Sequence, residues 1–227
     1  MAQQGEALLL QHAEHTAGVY GFFARLAQAS RREAGQVLCW WETGAVCERR
    51  YRVHEQWYNL RPDALAEYRV GPKQIRFWLE WDRGTMNVRD LTIKFLSYAY
   101  YIASREWARE RSMLPLLVCI APDIAQERRI QRVAQARLTS MPELELWTTT
   151  EVLLNEHGPL APIWLQGIPQ HRKGAQPGGS LDDQQRDVDS RRKLPIAMES
   201  ALKHNDGSYS SLCSHTIHRC GEIIFPA

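Results

Sequence analysis

Positions Leu8, Leu9, His12, Thr16, Val19, Phe23, Leu26 and Ala27 fall on one stripe at three- and four-residue spacing. That spacing predicts an amphipathic helix over 6–33. Arg31 and Arg32 suit its negative end, and Gly35 follows as a stop. Residues 37–43 (VLCWWET) are short, apolar and aromatic, which predicts a strand closed by Gly44. The mixed stretch 45–58 leaves its element undecided. Residues 60–70 alternate weakly as a strand, and Gly71-Pro72 signals a turn. Over 75–82, Ile75, Phe77, Leu79 and Trp81 take one face while Arg76, Trp78, Glu80 and Asp82 take the other. This is the period of a strand, so 60–70 and 74–82 form a hairpin. After Gly84, Thr85 or Asn87 can cap a helix over 88–111 with the stripe Leu91, Phe95, Tyr98 and Ile102. The unbroken apolar run 114–121 predicts a strand buried on both faces. Residues 123–138 predict a helix whose outer surface carries Arg128, Arg129, Arg132 and Arg137, followed by a strand at 144–148 and a short helix at 149–156.

One helix, three strands, and then alternating helices and strands describe an α/β chain with a mixed β-sheet flanked by helices. The expected core is 6–157. From about residue 166 the sequence turns to Gly, Pro, Gln and charge, so 158–227 is expected to be a low-complexity, largely disordered tail.

The composition narrows the field without choosing a function. The 227 residues are 44% hydrophobic and 24% charged, with net charge +2, an ordinary globular balance. A dedicated nucleic-acid binder usually carries a stronger basic bias. No apolar run is long enough to span a bilayer, and MAQQGEALLLQHAEH has no basic stretch before its apolar run, so no secretory signal is read. The five cysteines Cys39, Cys47, Cys119, Cys213 and Cys220 are odd in number and loosely spaced. They read as thiols in a reducing cytoplasm, with Cys39 and Cys119 buried. Cys213, His215, His218 and Cys220 are too tightly spaced for a usual zinc knuckle and lack a second ligand pair, so zinc is not expected.

The chemistry converges on the hairpin. If its strands pair across Gly71-Pro72, Asp63 faces Glu80, and opposed residues lie roughly 4.5–5.5 Å apart. Like charges so placed destabilise a sheet, and Mg²⁺ or Mn²⁺ would offset this through carboxylate oxygens. Asp82 lies on the Glu80 face, roughly 7 Å further on. Lys94, on the shoulder of the helical stripe, can bury its stem and point its ammonium at the sheet. A cation beside a metal is what phosphodiester hydrolysis requires. Arg83, Arg89 and Tyr101 are candidate DNA contacts. The alternative is purely structural: Asp82 paired with Arg83 or Arg89, and Glu80 with Lys94. His12 and His15 read as packing or surface residues.

The segments LRPDALAEYRV, RFWLEWDRGTMNVRDLTIKFLSYAYY and PLLVCIAPDIAQERRIQRV, with CWWE ahead of them, resemble the replication-relaxation family of plasmid and mobile-element proteins. The resemblance spans about residues 8–157. It implies a role in plasmid replication or DNA relaxation and a core related to the PD-(D/E)xK nucleases, restriction-endonuclease-like with αβββαβαβ order. On that pattern Asp63 and Glu80 are metal ligands, Asp82 stands where the nuclease lysine is usual, and Lys94 is its displaced replacement. The activity implied is a Mg- or Mn-dependent DNA endonuclease, with no organic cofactor. The alternative is a non-catalytic DNA-binding or replication-control module, or an inactive remnant, on the same fold. Family members often carry a winged-helix DNA reader ahead of the core, whereas this sequence starts at the core's first helix. On that pattern the chain either lacks its own DNA reader, depends on a separate DNA-reading partner, or is a truncated copy.

Overall fold

The computed structural model describes residues 2–53, 55–110, 114–138, 144–167 and 191–193. In chain order these form α1 (Ala2–Ser30), β1 (Gln36–Thr43), a short 3₁₀ turn (Gly44–Cys47), β2 (Arg49–Val53), β3 (Gln56–Leu60), β4 (Ala64–Val70) and β5 (Lys73–Trp81). They continue with α2 (Val88–Ser104), α3 (Glu106–Glu110), β6 (Leu116–Ala121), α4 (Ile124–Leu138), β7 (Leu146–Thr150), α5 (Glu151–His157) and β8 (Leu165–Gln166). The main sheet runs β1-β4-β5-β6-β7-β8, while β2 and β3 form a separate antiparallel ribbon. Strands β1, β4 and β5 are antiparallel neighbours, β5, β6 and β7 are parallel, and β8 returns antiparallel. The expected α/β class and mixed sheet are therefore present.

Each face of the sheet has its own core. On one, Val19, Phe22, Phe23 and Leu26 of α1 pack against Phe77, Leu79 and Trp81 of β5. On the other, Leu91, Phe95 and Tyr98 of α2 and Ile130 and Val133 of α4 cover Trp78, Leu117 and Cys119. The alternation along β5 thus divides its side chains between two cores, as the period-two pattern requires. Strand β6 is buried along its whole length, which its continuous apolar run demands.

The β4–β5 turn is the two-residue Gly71-Pro72 connection, with Val70 paired to Lys73 and Gly71 at φ 57°. Asn87 caps α2: its side chain accepts from the Arg89 and Asp90 amides, and Asp90 bonds back to the cap, a full capping box.

Several expectations shift. The strand expected over 60–70 is interrupted. Leu60 ends β3, Pro62 has no amide to offer a ladder, and Asp63 lies in the bend before β4. The helix expected over 88–111 divides at Arg105, which adopts φ 57°. On α1, His12 and Thr16 face solvent, and the buried stripe is Val19, Phe22, Phe23 and Leu26. Cys39 is only partly buried, at the β1 bulge, while Cys119 is buried as expected. The fold also continues past residue 157: Ile163 and Trp164 are core residues, and Trp164 bridges to Arg192. The rest of the expected tail, with Cys213, His215, His218 and Cys220, lies outside the described residues.

Candidate functional site

The β4–β5 register pairs Ala64 with Leu79 and Leu65 with Trp78. Extended by one residue, it sets Asp63 against Glu80. The Asp63 amide donates to the Leu79 carbonyl at 3.1 Å, and Asp63 Oδ2 accepts from the Trp81 amide at 2.7 Å. The aspartate is thus held by two backbone bonds to the strand carrying Glu80.

Glu80 is 3% exposed on the α2 face of the sheet. From α2, Tyr98 donates its hydroxyl to Glu80 Oε1 at 2.5 Å, and the Lys94 ammonium ion-pairs with Oε2. Lys94 and Tyr98 are four residues apart on one helical face, so a single helix delivers both donors. Lys94 remains a quarter exposed, reaching the glutamate along a buried stem.

These charges act on one another. Burial pushes the Glu80 carboxyl up to about 8, against the pull of Lys94 and with the push of Asp63. Burial works to lower Lys94, but Glu80 and Asp63 outweigh it and raise the ammonium above its ordinary value. For Asp63, burial raises the carboxyl, and the His15 hydrogen bond, the Lys94 charge and the Trp81 amide together bring it below the usual range. Burial, then the charge of Glu80, raises both the Tyr98 phenol and the Cys119 thiol well above their usual values. Cys119 is therefore an unreactive neighbour.

Sequence reasoning passed over His15. Its Nε2 lies 3.0 Å from Asp63 Oδ2. The signal was present: His15 precedes Val19, Phe22 and Leu26 by four, seven and eleven residues, so it extends the buried stripe. His15 and Asp63 line a cleft of about 510 Å³ together with Thr16, Tyr20, Glu48 and Arg61. Gly18 was also passed over. A methyl there would collide with the Trp81 indole, so α1 can approach β5 closely only with glycine at this position. Gly18→Ala is expected to cost ~1–3 kcal/mol by forcing the indole away. Urea denaturation checks this, and unchanged stability would refute the close-packing role.

The remaining candidates lie apart from this cluster. Asp82 is 3% exposed. Its Oδ1 accepts from the Gly84 amide at 2.9 Å and its Oδ2 from the Gln126 side chain at 2.5 Å. It joins the β5 end to the start of α4 rather than reaching Lys94. Arg83 pairs with Glu14 of α1. Arg89 is exposed at the start of α2. Tyr101 is 2% exposed and sits edge-on to Tyr51 and Trp78. This corrects its reading as a DNA contact: the β2–β3 ribbon covers the ring, which seats the ribbon on α2.

The donor set decides what metal the cluster suits. Among the described residues no group of three or more His, Cys, Asp and Glu is placed to hold a metal ion. A cage of Asp63, Glu80 and Asp82 does not fit, because both Asp82 oxygens serve the fold. Glu80 likewise has both oxygens engaged, by Tyr98 and Lys94, so a Mg²⁺ held by one or two carboxylates with water and substrate phosphate would have to displace one of these donors. Lys94 pairs with Glu80, and its charge also acts on Asp63.

A family model described as replication-relaxation matches residues 4–117, half of the chain. No curated protein and no solved structure matches the chain. Among the described residues no helix is long and apolar enough to cross a membrane.

Proposed function

Since the chain belongs to the replication-relaxation family, we propose that it is a plasmid or mobile-element protein that processes DNA through a nuclease-like site built from Asp63, Glu80 and Lys94. One observation carries this reading: Lys94 from α2 meets Glu80 of β5 beside Asp63, which the β4–β5 register sets against Glu80. Two acids and a lysine at one sheet end are the groups that phosphodiester cleavage requires. Asp63 and Glu80 would hold Mg²⁺ or Mn²⁺, which supplies Lewis-acid polarisation of the phosphate and a more acidic bound water. Lys94 stabilises charge building on the phosphate oxygens. His15 orients the Asp63 carboxylate and faces the cleft through which DNA enters.

The alternative, a non-catalytic DNA-binding or replication-control module, draws on Asp82. It stands in the usual lysine position and is tied to Gln126. A supercoiled-plasmid nicking assay with Mg²⁺ and Mn²⁺ separates the two. Wild type is expected to nick only with metal, and Asp63→Asn to be slower by at least about a hundredfold with its fold intact. If wild type retards DNA in a gel but never nicks it, the control-module reading replaces the nuclease one.

A further inference from the structure

The β2–β3 ribbon stands outside the main sheet. Its register pairs Arg50 with Asn59, Tyr51 with Tyr58, and Arg52 with Trp57. Directly opposed residues share a face, so the two faces differ sharply in chemistry. On the inner face Tyr51 is buried against Tyr101 and stacks on Tyr58. The outer face presents Arg50, Arg52, Trp57 and Asn59, all exposed, with Trp57 52% accessible. The Arg50 guanidinium lies 4.5 Å from the Trp57 ring centroid and that of Arg52 5.9 Å. Arg52 also pairs with Glu55 at the turn.

This face covers none of the buried core and leaves half of a large indole in water. An exposed tryptophan with guanidinium groups over its ring forms a cation–π surface on which a base can stack, with phosphate-seeking charge within it. The ribbon also springs from the candidate site. The chain enters it at Glu48 and leaves it at Arg61; these two pair at 3.0 Å and line the cleft with His15 and Asp63.

We infer that the outer face of the β2–β3 ribbon binds single-stranded DNA, with a base stacked on Trp57 and backbone phosphate on Arg50, and leads the strand to the His15–Asp63 cleft. The choice of DNA rests on the proposed function, whereas the ribbon's binding does not require cleavage.

The test is fluorescence anisotropy of a labelled 20-nucleotide DNA with the full-length chain, without divalent metal, so that cleavage plays no part. Trp57→Ala is expected to weaken binding roughly tenfold, and Trp57→Tyr to retain most of it. Arg50→Ala is expected to weaken binding and flatten its salt dependence by about 0.7 in the log–log slope, the value for one single-strand phosphate. Because both residues are exposed, thermal melts of the variants should match wild type. Three results would overturn the inference: no binding by wild type, wild-type affinity in both Trp57→Ala and Arg50→Ala, or tighter binding to RNA of the same sequence. A protein that binds through the ribbon but never nicks plasmid with metal would keep this inference and lose the nuclease reading.

Discussion

Lys94→Met is expected to destabilise the fold by ~3–5 kcal/mol at pH 9 and by about 1–2 kcal/mol less at pH 5. The substitution keeps the packing of the stem and removes only the charge, leaving Glu80 buried at 3% exposure with Tyr98 as its remaining donor. The pH dependence follows from the direction in which Glu80 is shifted. Burial already raises its carboxyl from an ordinary 4.5 to about 8. The folded chain therefore keeps a proton that the unfolded chain releases, and this group's contribution to stability falls as pH rises between those values. Lys94 ends that fall by letting Glu80 ionise near pH 8; without it the carboxyl keeps its proton and the fall continues to higher pH. Lys94 is itself raised above its ordinary value and stays protonated throughout this window. Urea denaturation at the two pH values measures the difference. Equal cost at both would mean that Lys94 matters for packing rather than charge. Glu80→Gln in the Lys94→Met background should recover most of the loss, because a neutral amide needs no counter-charge.

Arg191→Met should be of similar size, ~3–5 kcal/mol, although Arg191 comes from a polar tract. Its guanidinium is 7% exposed and bonds Glu127 with Nη2 to Oε2 at 2.6 Å and Nη1 to Oε1 at 3.2 Å. Nη1 also donates to the Ile163 carbonyl at 2.7 Å. Thr148 donates to the same glutamate at 2.8 Å, so Glu127 depends on two hydrogen-bonding partners reaching it from outside α4. Among the described residues, removing Arg191 leaves Glu127 as a buried carboxylate with one hydroxyl donor. A denaturation midpoint within error of wild type would show that Glu127 finds another counter-charge. A chain ending at residue 157 should fare worse still, losing Ile163 and Trp164 from the core as well as Arg191.

These two ion pairs mark the limits of sequence reading. The Glu80–Lys94 pair was legible because local rules converged on it. Gly71-Pro72 fixed the hairpin register, the alternation along β5 set the face of Glu80, and the helical stripe placed Lys94 beside it. The same reasoning offered the pair as a bare salt bridge, so geometry was easier to read than role. The Glu127–Arg191 pair joins residues far apart in the chain, and Arg191 sits in no periodic pattern. The β2–β3 ribbon escaped for another reason: its outward residues are Arg, Trp and Asn, so no apolar alternation announces a strand. Asp63 was read as a ladder residue opposite Glu80, but the ladder starts at Ala64 and Asp63 lies in a bend with its carboxylate on His15. His15 was overlooked because a polar residue on a buried stripe reads as an interruption until its partner is known.

The two ends of the main sheet carry a consequence for solubility. An edge strand exposes amides and carbonyls that can recruit a foreign strand, and long flat edges seed aggregation. Here β1, at one end, breaks register between Leu38 and Trp40. That bulge twists the edge and spoils a continuous template. At the other end β8 is two residues long, too short to nucleate a ladder. A sheet so terminated offers a foreign strand little continuous edge to pair with.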